Sequence, residues 1–349
     1  MKVIITGGAG FIGTNVALAH LSDNDKVVII DNLSRRGTSL NRDLILKKAP
    51  RGRAEFHRAD IRDFRRIKKI LSLNKDAALV YHLAAQVAVT TSVVNPREDF
   101  EINALGTFNL LEAVRTLKIK APVLYSSTNK VYGGMEKERL ILRRGTGWHL
   151  ADYPSGISED YPADFHSPYG CSKGAADQYV RDYSRIYGLK TVVFRQSCIY
   201  GINQYGMEDQ GWIVHFIIRT LIEKKPIFIY GDGNQVRDAL YIDDLVRIYR
   251  LAYRNINKVS GEIINVGGGP SNAISIINFV RLLEDEKIAG KIKVKFATWR
   301  PGDQKVFISD NSKAGRLLGW KPEIPLKEGI KKTLAWVGGN IETIKKAYS

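Results

Sequence analysis

Tyr169 and Lys173 stand four residues apart in a stretch of helical period that opens just after Pro168. That spacing puts a phenol and an ammonium on one helix face. A free tyrosine titrates near ~10, so a phenolate working near pH 7 needs roughly 4 kcal/mol of help. A neighbouring cation is one source of it. Alone, such a pair is what any solvated helix surface carries. It gains meaning from Tyr125-Ser126-Ser127-Thr128, at the end of an apolar run that reads as the fourth parallel strand. Sheets of that kind place ligands at the carboxyl ends of their strands, where the Thr128 hydroxyl can bond the same substrate oxygen as Tyr169. The three groups suit removal of a proton from an alcohol as its carbon is oxidised.

Oxidation needs an acceptor, and the N-terminus offers a place for one. Thr6-Gly7-Gly8-Ala9-Gly10-Phe11-Ile12-Gly13 follows an apolar strand and opens a helix. Gly7 permits the tight turn, Gly10 lets a pyrophosphate approach the backbone, and Gly13 allows close helix–strand packing. The helix N-terminus presents unpaired N–H groups to the phosphates. Asp31 closes the next strand 18 residues after Gly13. A carboxylate there accepts from a ribose 2′-hydroxyl and repels a 2′-phosphate, selecting NAD over NADP. Arg35 and Arg36 pull the other way, and Asp31 is expected to decide.

These groups need a frame. Continuous apolar runs at Val3–Thr6, Val27–Ile30, Leu79–Leu83, Val123–Tyr125 and Thr191–Phe194 read as strands buried on both faces. Helix-period segments at Gly13–Leu21, Arg62–Leu73, Phe100–Leu117 and Tyr169–Tyr187 lie between them. The alternation predicts an α/β fold, a Rossmann-type doubly wound parallel sheet with a smaller α+β substrate-binding domain. The expected division gives residues 1–199 to the dinucleotide domain, with a return segment over 236–266. Residues 200–235 and 267–349 then form the second domain. Past residue 200 the pattern loosens, and only Glu262–Val266 still reads as a buried strand. Residues 133–168 carry little periodicity, so a lid or a surface insertion is open there.

Composition narrows the classes. Among 349 residues, 44% are hydrophobic and 9% aromatic, which excludes wholesale disorder. No apolar run reaches the roughly 18 residues of a membrane span. The chain enters its first strand at once, leaving no room for a signal peptide, so a cytoplasmic location is expected. Cys171 and Cys198, without Cys-x-x-Cys spacing, argue against a disulfide framework or a zinc site. The net charge of +17 invites a polyanion partner. That charge is spread thinly, over Lys47-Lys48 with Arg51 and Arg53, over Arg62, Arg65, Arg66, Lys68 and Lys69, and over Arg143-Arg144, and no basic tail appears. A solvated surface that steers a small anionic substrate is the preferred reading, with no nucleic-acid and no membrane partner.

Taken together, the glycine loop, Asp31–Arg35, His82–Gln86, Ser126–Gly133 and Tyr169 with Lys173 resemble the extended short-chain dehydrogenase/reductase family of nucleotide-sugar epimerases, dehydratases and decarboxylases. Ser126–Gly133, Asp164–Tyr179 and Asp209–Trp212 resemble a branch that acts at C2 of CDP-hexoses, over nearly the whole chain. The resemblance implies Thr128, Tyr169 and Lys173 as catalytic residues. It implies a tightly bound, recycled NAD held by Gly7, Gly10, Phe11, Ile12, Gly13, Asp31, Asn32, Ser34, Arg35, Asp60, Ile61, Leu83, Ala84, Gln86 and Asn103, with Tyr169 and Lys173. For the nucleotide sugar it implies Thr128, Asn129, His166, Ser167, Gln196, Tyr230, Arg237, Arg300 and Asp303, with the two arginines on the diphosphate. It also implies a homodimer or homotetramer built through helices like Phe100–Leu117 and Tyr169–Tyr187. Cys198 stands where the family has an asparagine, which leaves that diphosphate contact in doubt. Dehydratases carry Asp-Glu straight after the catalytic threonine; Asn129 and Lys130 replace them here and are expected to be unfit for that proton transfer at neutral pH. The implied activity is epimerisation at C2 of a CDP-hexose through transient oxidation. A UDP-hexose 4-epimerase and an idle NAD-sensing or polyanion-binding module are the alternatives.

Overall fold

The computed structural model describes residues 1–143, 147–286 and 290–348. Seven parallel strands form its central sheet: β1 (Lys2–Thr6), β2 (Lys26–Asp31), β3 (Ala54–Arg58), β4 (Leu79–His82), β5 (Val123–Thr128), β6 (Thr191–Gln196) and β7 (Glu262–Val266). Their order is β7-β6-β5-β4-β1-β2-β3. The inner strands are apolar on both faces because helices cover both; Val3, Ile4, Ile5, Leu79, Val80, Val123 and Leu124 are wholly buried. The chain leaves β1 toward β2 and β3, then returns to place β4 on the other side of β1. That reversal opens a crevice at the carboxyl ends of β1 and β4. In-register pairs Thr6–His82 and Thr128–Gln196 bring the polar strand ends to one edge.

Several elements depart from the sequence expectation. β3 was not expected: an edge strand reading Ala-Glu-Phe-His-Arg is only half-buried and has no continuous apolar run. It makes Val123–Thr128 the fifth strand along the chain rather than the fourth, and that strand runs on through its polar end. A helix over Thr38–Lys48 also lacked an apolar stripe. Within 133–168, Leu140–Arg143 and Gly147–Leu150 form an antiparallel hairpin, with Arg144 outside the described residues. Phe100–Leu117 divides into a π-turn at Glu101–Leu105 and an α-helix over Gly106–Thr116.

Beyond residue 200, Val236–Tyr241 is a largely buried strand, contrary to the expectation that only Glu262–Val266 would be one. It pairs with Cys198–Tyr200 and Val306–Phe307 in parallel and with Ala273–Ser275 antiparallel. Of the 236–266 stretch, Glu262–Val266 alone joins the large sheet, beside β6. Ile227–Tyr230 pairs with Val294–Ala297. No helix among the described residues is long and apolar enough to cross a membrane.

Candidate active site

The glycine loop is built for close backbone approach. Gly7 has φ +66°, and a Cβ there would lie 2.7 Å from the Ala84 nitrogen. At Gly13 a Cβ would meet the Gly7 carbonyl oxygen at 2.3 Å, so only glycine lets helix α1 (Phe11–Ser22) dock on the loop. Gly10 caps that helix without a side-chain hydrogen bond, leaving its N-terminal end to the cavity that Gly7, Gly10, Phe11, Ile12 and Gly13 line. A Thr6–His82 hydrogen bond of 2.8 Å ties the ends of β1 and β4 beneath it. Burial holds the His82 imidazole neutral, down at about 3.

Asp31 is 8% exposed and receives the N–H groups of Ala9 at 3.0 Å and Leu33 at 2.8 Å. Desolvation raises its pKa despite those bonds. Beside it Asp60, held down at about 2 first by the Arg62 guanidinium, also accepts from the Asn32 amide at 2.9 Å. Asn32, Ser34, Arg35, Ile61, Leu83 and Ala84 complete this end of the crevice. Gln86 and Asn103 do not face it. The Gln86 amide bonds Ala88 and Asp99, while Asn103 accepts the Gln86 N–H at 2.9 Å and donates to Asp99 and Ser172. They brace the wall from behind.

Pro168 in the first turn and a left-handed Gly188 at the end delimit the Ser167–Tyr187 helix. Its buried face carries Tyr169 at 7% exposure and Lys173 at 3%. The Lys173 ammonium donates to the Ser126 carbonyl and lies 4.3 Å over the Tyr125 ring. Burial pushes it down to about 7, against Asp177 and Asp99. The phenol of Tyr169 is pushed up to about 12, chiefly by burial, while its hydrogen bond with Thr128 works the other way. The expected lowering by the neighbouring ammonium is not what sets the phenol: desolvation dominates, the cation that lowers it is Arg35, and Lys173 is turned toward a carbonyl.

Thr128 and Tyr169 line two cavities, the one at the glycine loop and a second bounded by Asn129, Lys130, Tyr230, Arg237, Arg300 and Asp303. In the second, Arg237 donates to Asp303 at 3.0 Å and to the Gln304 carbonyl at 2.7 Å. The Arg300 guanidinium stacks 3.5 Å from the centre of the Tyr230 ring. Gln196 lines the first cavity instead, its amide donating to Tyr249. His166 is exposed, and Ser167, at φ +82°, uses its hydroxyl to accept the Gly170 N–H at 3.2 Å. Neither lines either cavity.

The expectation that Lys130 could not exchange a proton at neutral pH does not hold. Burial, then the charge of Arg237, pushes its ammonium down to about 7, and it donates to the Gly302 carbonyl at 3.2 Å. The Cys198 thiol is pushed up to about 12 by burial and is no thiolate at pH 7. Sequence reasoning missed Val87, Val89, Thr90 and Glu208, which also line the second cavity. They lie in aperiodic stretches, and no spacing marks them.

A fold with this crevice, a glycine cradle at its β1 end and a Tyr-x-x-x-Lys helix at the other, defines a class of dehydrogenase-like enzymes. The chain belongs to the family described as GDP-mannose 4,6 dehydratase, whose model matches residues 4–333, and so to the extended short-chain dehydrogenases/reductases. It is 42% identical over 342 residues to CDP-paratose 2-epimerase of Salmonella typhi, covering 96% of this chain and 99% of that one. The UDP-glucose 4-epimerase of Thermotoga maritima, solved with UDP-glucose, superposes with a TM-score of 0.81 at 31% identity, over 98% and 100% of the two chains. The UDP-glucuronic acid 4-epimerase of Bacillus cereus, with UDP-glucuronic acid and NAD, does so at 0.82 and 30%, over 97% and 99%. The protein is thus an enzyme of the nucleotide-sugar epimerase and dehydratase kind.

Proposed function

We propose that the protein is an NAD-dependent epimerase acting at C2 of a CDP-hexose. The observation that carries this reading is that Thr128 and Tyr169 stand on both cavities at once, between the glycine cradle and the paired arginines. The cradle fits a dinucleotide: Gly7 and Gly13 let the loop close on Ala84 and the helix close on the loop where a Cβ would strike backbone, Gly10 faces the cavity, and Asp31 lines its ribose end. Bound NAD would supply a carbon that takes the sugar's C2 hydrogen and gives it back. Gly7, Gly10 and Gly13 would hold its pyrophosphate and Asp31 its ribose.

The chain's own groups do the rest. Tyr169 receives the proton of the C2 hydroxyl, Thr128 orients that oxygen, and the Lys173 ammonium favours the phenolate once the site is filled. Arg237 and Arg300 hold the diphosphate, so the sugar can turn over while the nucleotide stays anchored. Tyr169 then returns the proton, and no net oxidation results. The 42% identity with CDP-paratose 2-epimerase supports both the CDP moiety and the C2 position. Likeness to UDP-sugar 4-epimerases favours a second reading, the same chemistry at C4. Elimination of water is disfavoured because neither residue after Thr128 is a carboxylic acid and Lys130, the one able to exchange a proton near neutrality, is engaged with the Gly302 carbonyl. Self-association is supported by exposed Phe108 on the Gly106–Thr116 helix and exposed Tyr179, Ile186 and Tyr187 on the Ser167–Tyr187 helix, with the Phe108 and Tyr179 rings in contact.

A CDP-hexose deuterated at C2 tests the reading. Its label should remain in the epimerised product in ordinary water. Loss of label to solvent would replace the redox mechanism with deprotonation beside a carbonyl. Retention with inversion at C4 would keep the mechanism and overturn the substrate.

A further inference from the structure

Both guanidinium groups of the second cavity already have a carboxylate. Arg237 is paired with Asp303, which sits in the same short loop as Arg300 and whose Oδ1 also accepts the Gln304 N–H at 3.0 Å. That carboxylate is anchored. Arg300 is paired differently. Its Nη2 lies 3.6 Å from Oε1 of Glu208, and its Nη1 donates to the Glu208 backbone carbonyl at 3.1 Å. The same carboxylate oxygen accepts from the hydroxyl of Tyr230, the residue on whose ring Arg300 stacks.

Glu208 reaches Arg300 from a separate piece of chain. Its segment is tied down elsewhere: Met207 and Gln210 bond each other, Asp209 accepts from Thr90 at 2.8 Å, and Gln210 accepts from Arg35. The Glu208 side chain itself is 46% exposed and is held through its terminal oxygen. It can therefore swing into solvent without moving the segment that carries it.

We infer that Glu208 tunes ligand affinity: it is a resident anion on Arg300 that the diphosphate of an incoming nucleotide sugar must displace. The inference rests on the reading that Arg300 receives a diphosphate. Two charges of the same sign cannot share one guanidinium face at 3–4 Å without repulsion, so the carboxylate weakens every ligand that presents a diphosphate there. It also narrows the preference for phosphate-bearing ligands, because a neutral sugar or a nucleoside lacking phosphates does not have to displace it. An exposed ion pair is a modest competitor, and its removal should tighten binding by roughly two- to fivefold.

The test is a double-mutant cycle read by calorimetric binding of CDP to the full-length enzyme. Glu208→Gln keeps the side-chain volume and an acceptor oxygen while removing the charge. It should lower the CDP dissociation constant by that factor, and the gain should shrink as salt rises. In an Arg300→Gln background the same substitution should change CDP binding by less than half as much, since the shared partner is gone. Cytidine, which has no phosphates, should bind the Glu208→Gln and parent enzymes alike. Unchanged or weaker CDP binding by Glu208→Gln would overturn the inference and leave the nucleotide-sugar reading standing. An equal gain with Arg300 absent would overturn it too, showing that Glu208 acts on something else. If neither the parent nor the variant bound CDP or UDP, the diphosphate reading of Arg300 would fall with it.

Discussion

Replacing Tyr169 with phenylalanine separates chemistry from folding, because the structure lets the two costs be worked out independently. The ring is 7% exposed, and Tyr169→Phe keeps its volume and its packing. Only one hydroxyl disappears, with its hydrogen bond to Thr128. Thr128 is not orphaned by the loss: its Oγ1 lies 3.4 Å from the Asn129 carboxamide oxygen and accepts the Lys130 N–H at 3.3 Å. The stability cost should therefore stay near that of one neutral hydrogen bond, about 1 kcal/mol. The catalytic cost should be larger. General acid–base groups contribute ~10²–10⁴-fold, which corresponds to roughly 3–5 kcal/mol of barrier. NMR-monitored turnover of a CDP-hexose gives the rate, urea unfolding gives the stability, and analysis of nucleotide released on denaturation shows whether cofactor is retained. The expected outcome is a rate loss of at least two orders of magnitude in a folded enzyme. A variant within a factor of a few of the parent would refute the assignment of Tyr169 as the proton acceptor.

Two further outcomes follow from the site. Asp31→Ala should weaken NAD more than NADP, because it removes a ribose acceptor and a repulsive charge together; fluorescence titration with both cofactors reads this, and a stronger loss for NADP would give the selection to Arg35 and Arg36. Lys173→Met should alter the pH dependence of stability. The folded ammonium titrates at about 7 against 10.5 when unperturbed, so between those values the unfolded state binds more protons and stability rises with pH. Removing Lys173 removes its share of that rise, so the stability of Lys173→Met relative to the parent should decline from pH 7 toward pH 10. Urea melts across that window check the sign, and a constant difference would show that Lys173 is not the titrating group.

The sequence was most legible where one local rule applied to one segment. Strands β1, β2, β4, β5 and β6 declare themselves because a parallel strand covered on both faces has to be apolar throughout. The glycine loop is equally local, since Gly7 and Gly13 answer to backbone sterics within a few residues or one neighbouring strand end. The four-residue spacing of Tyr169 and Lys173 needs only a helix. The elements that escaped are those without such a rule: β3, a half-buried edge strand, the Thr38–Lys48 helix, and the hairpin inside 133–168.

What the sequence determined by itself was the doubly wound sheet, the cradle at its first turn, and the identity of the phenol, ammonium and hydroxyl at its rim. Tertiary structure decided how those groups behave. Burial raises Tyr169 and lowers Lys130 and Lys173, because removing a charge from water costs more than the opposite charges and hydrogen bonds nearby return. It also decided which predicted contacts reach the cavities. Gln86 and Asn103 turn inward to satisfy one another and Asp99, whereas Glu208, unmarked in the sequence, comes to rest on Arg300, 92 residues further along the chain. Contacts across such separations depend on how the whole chain packs, and no spacing in the sequence encodes them.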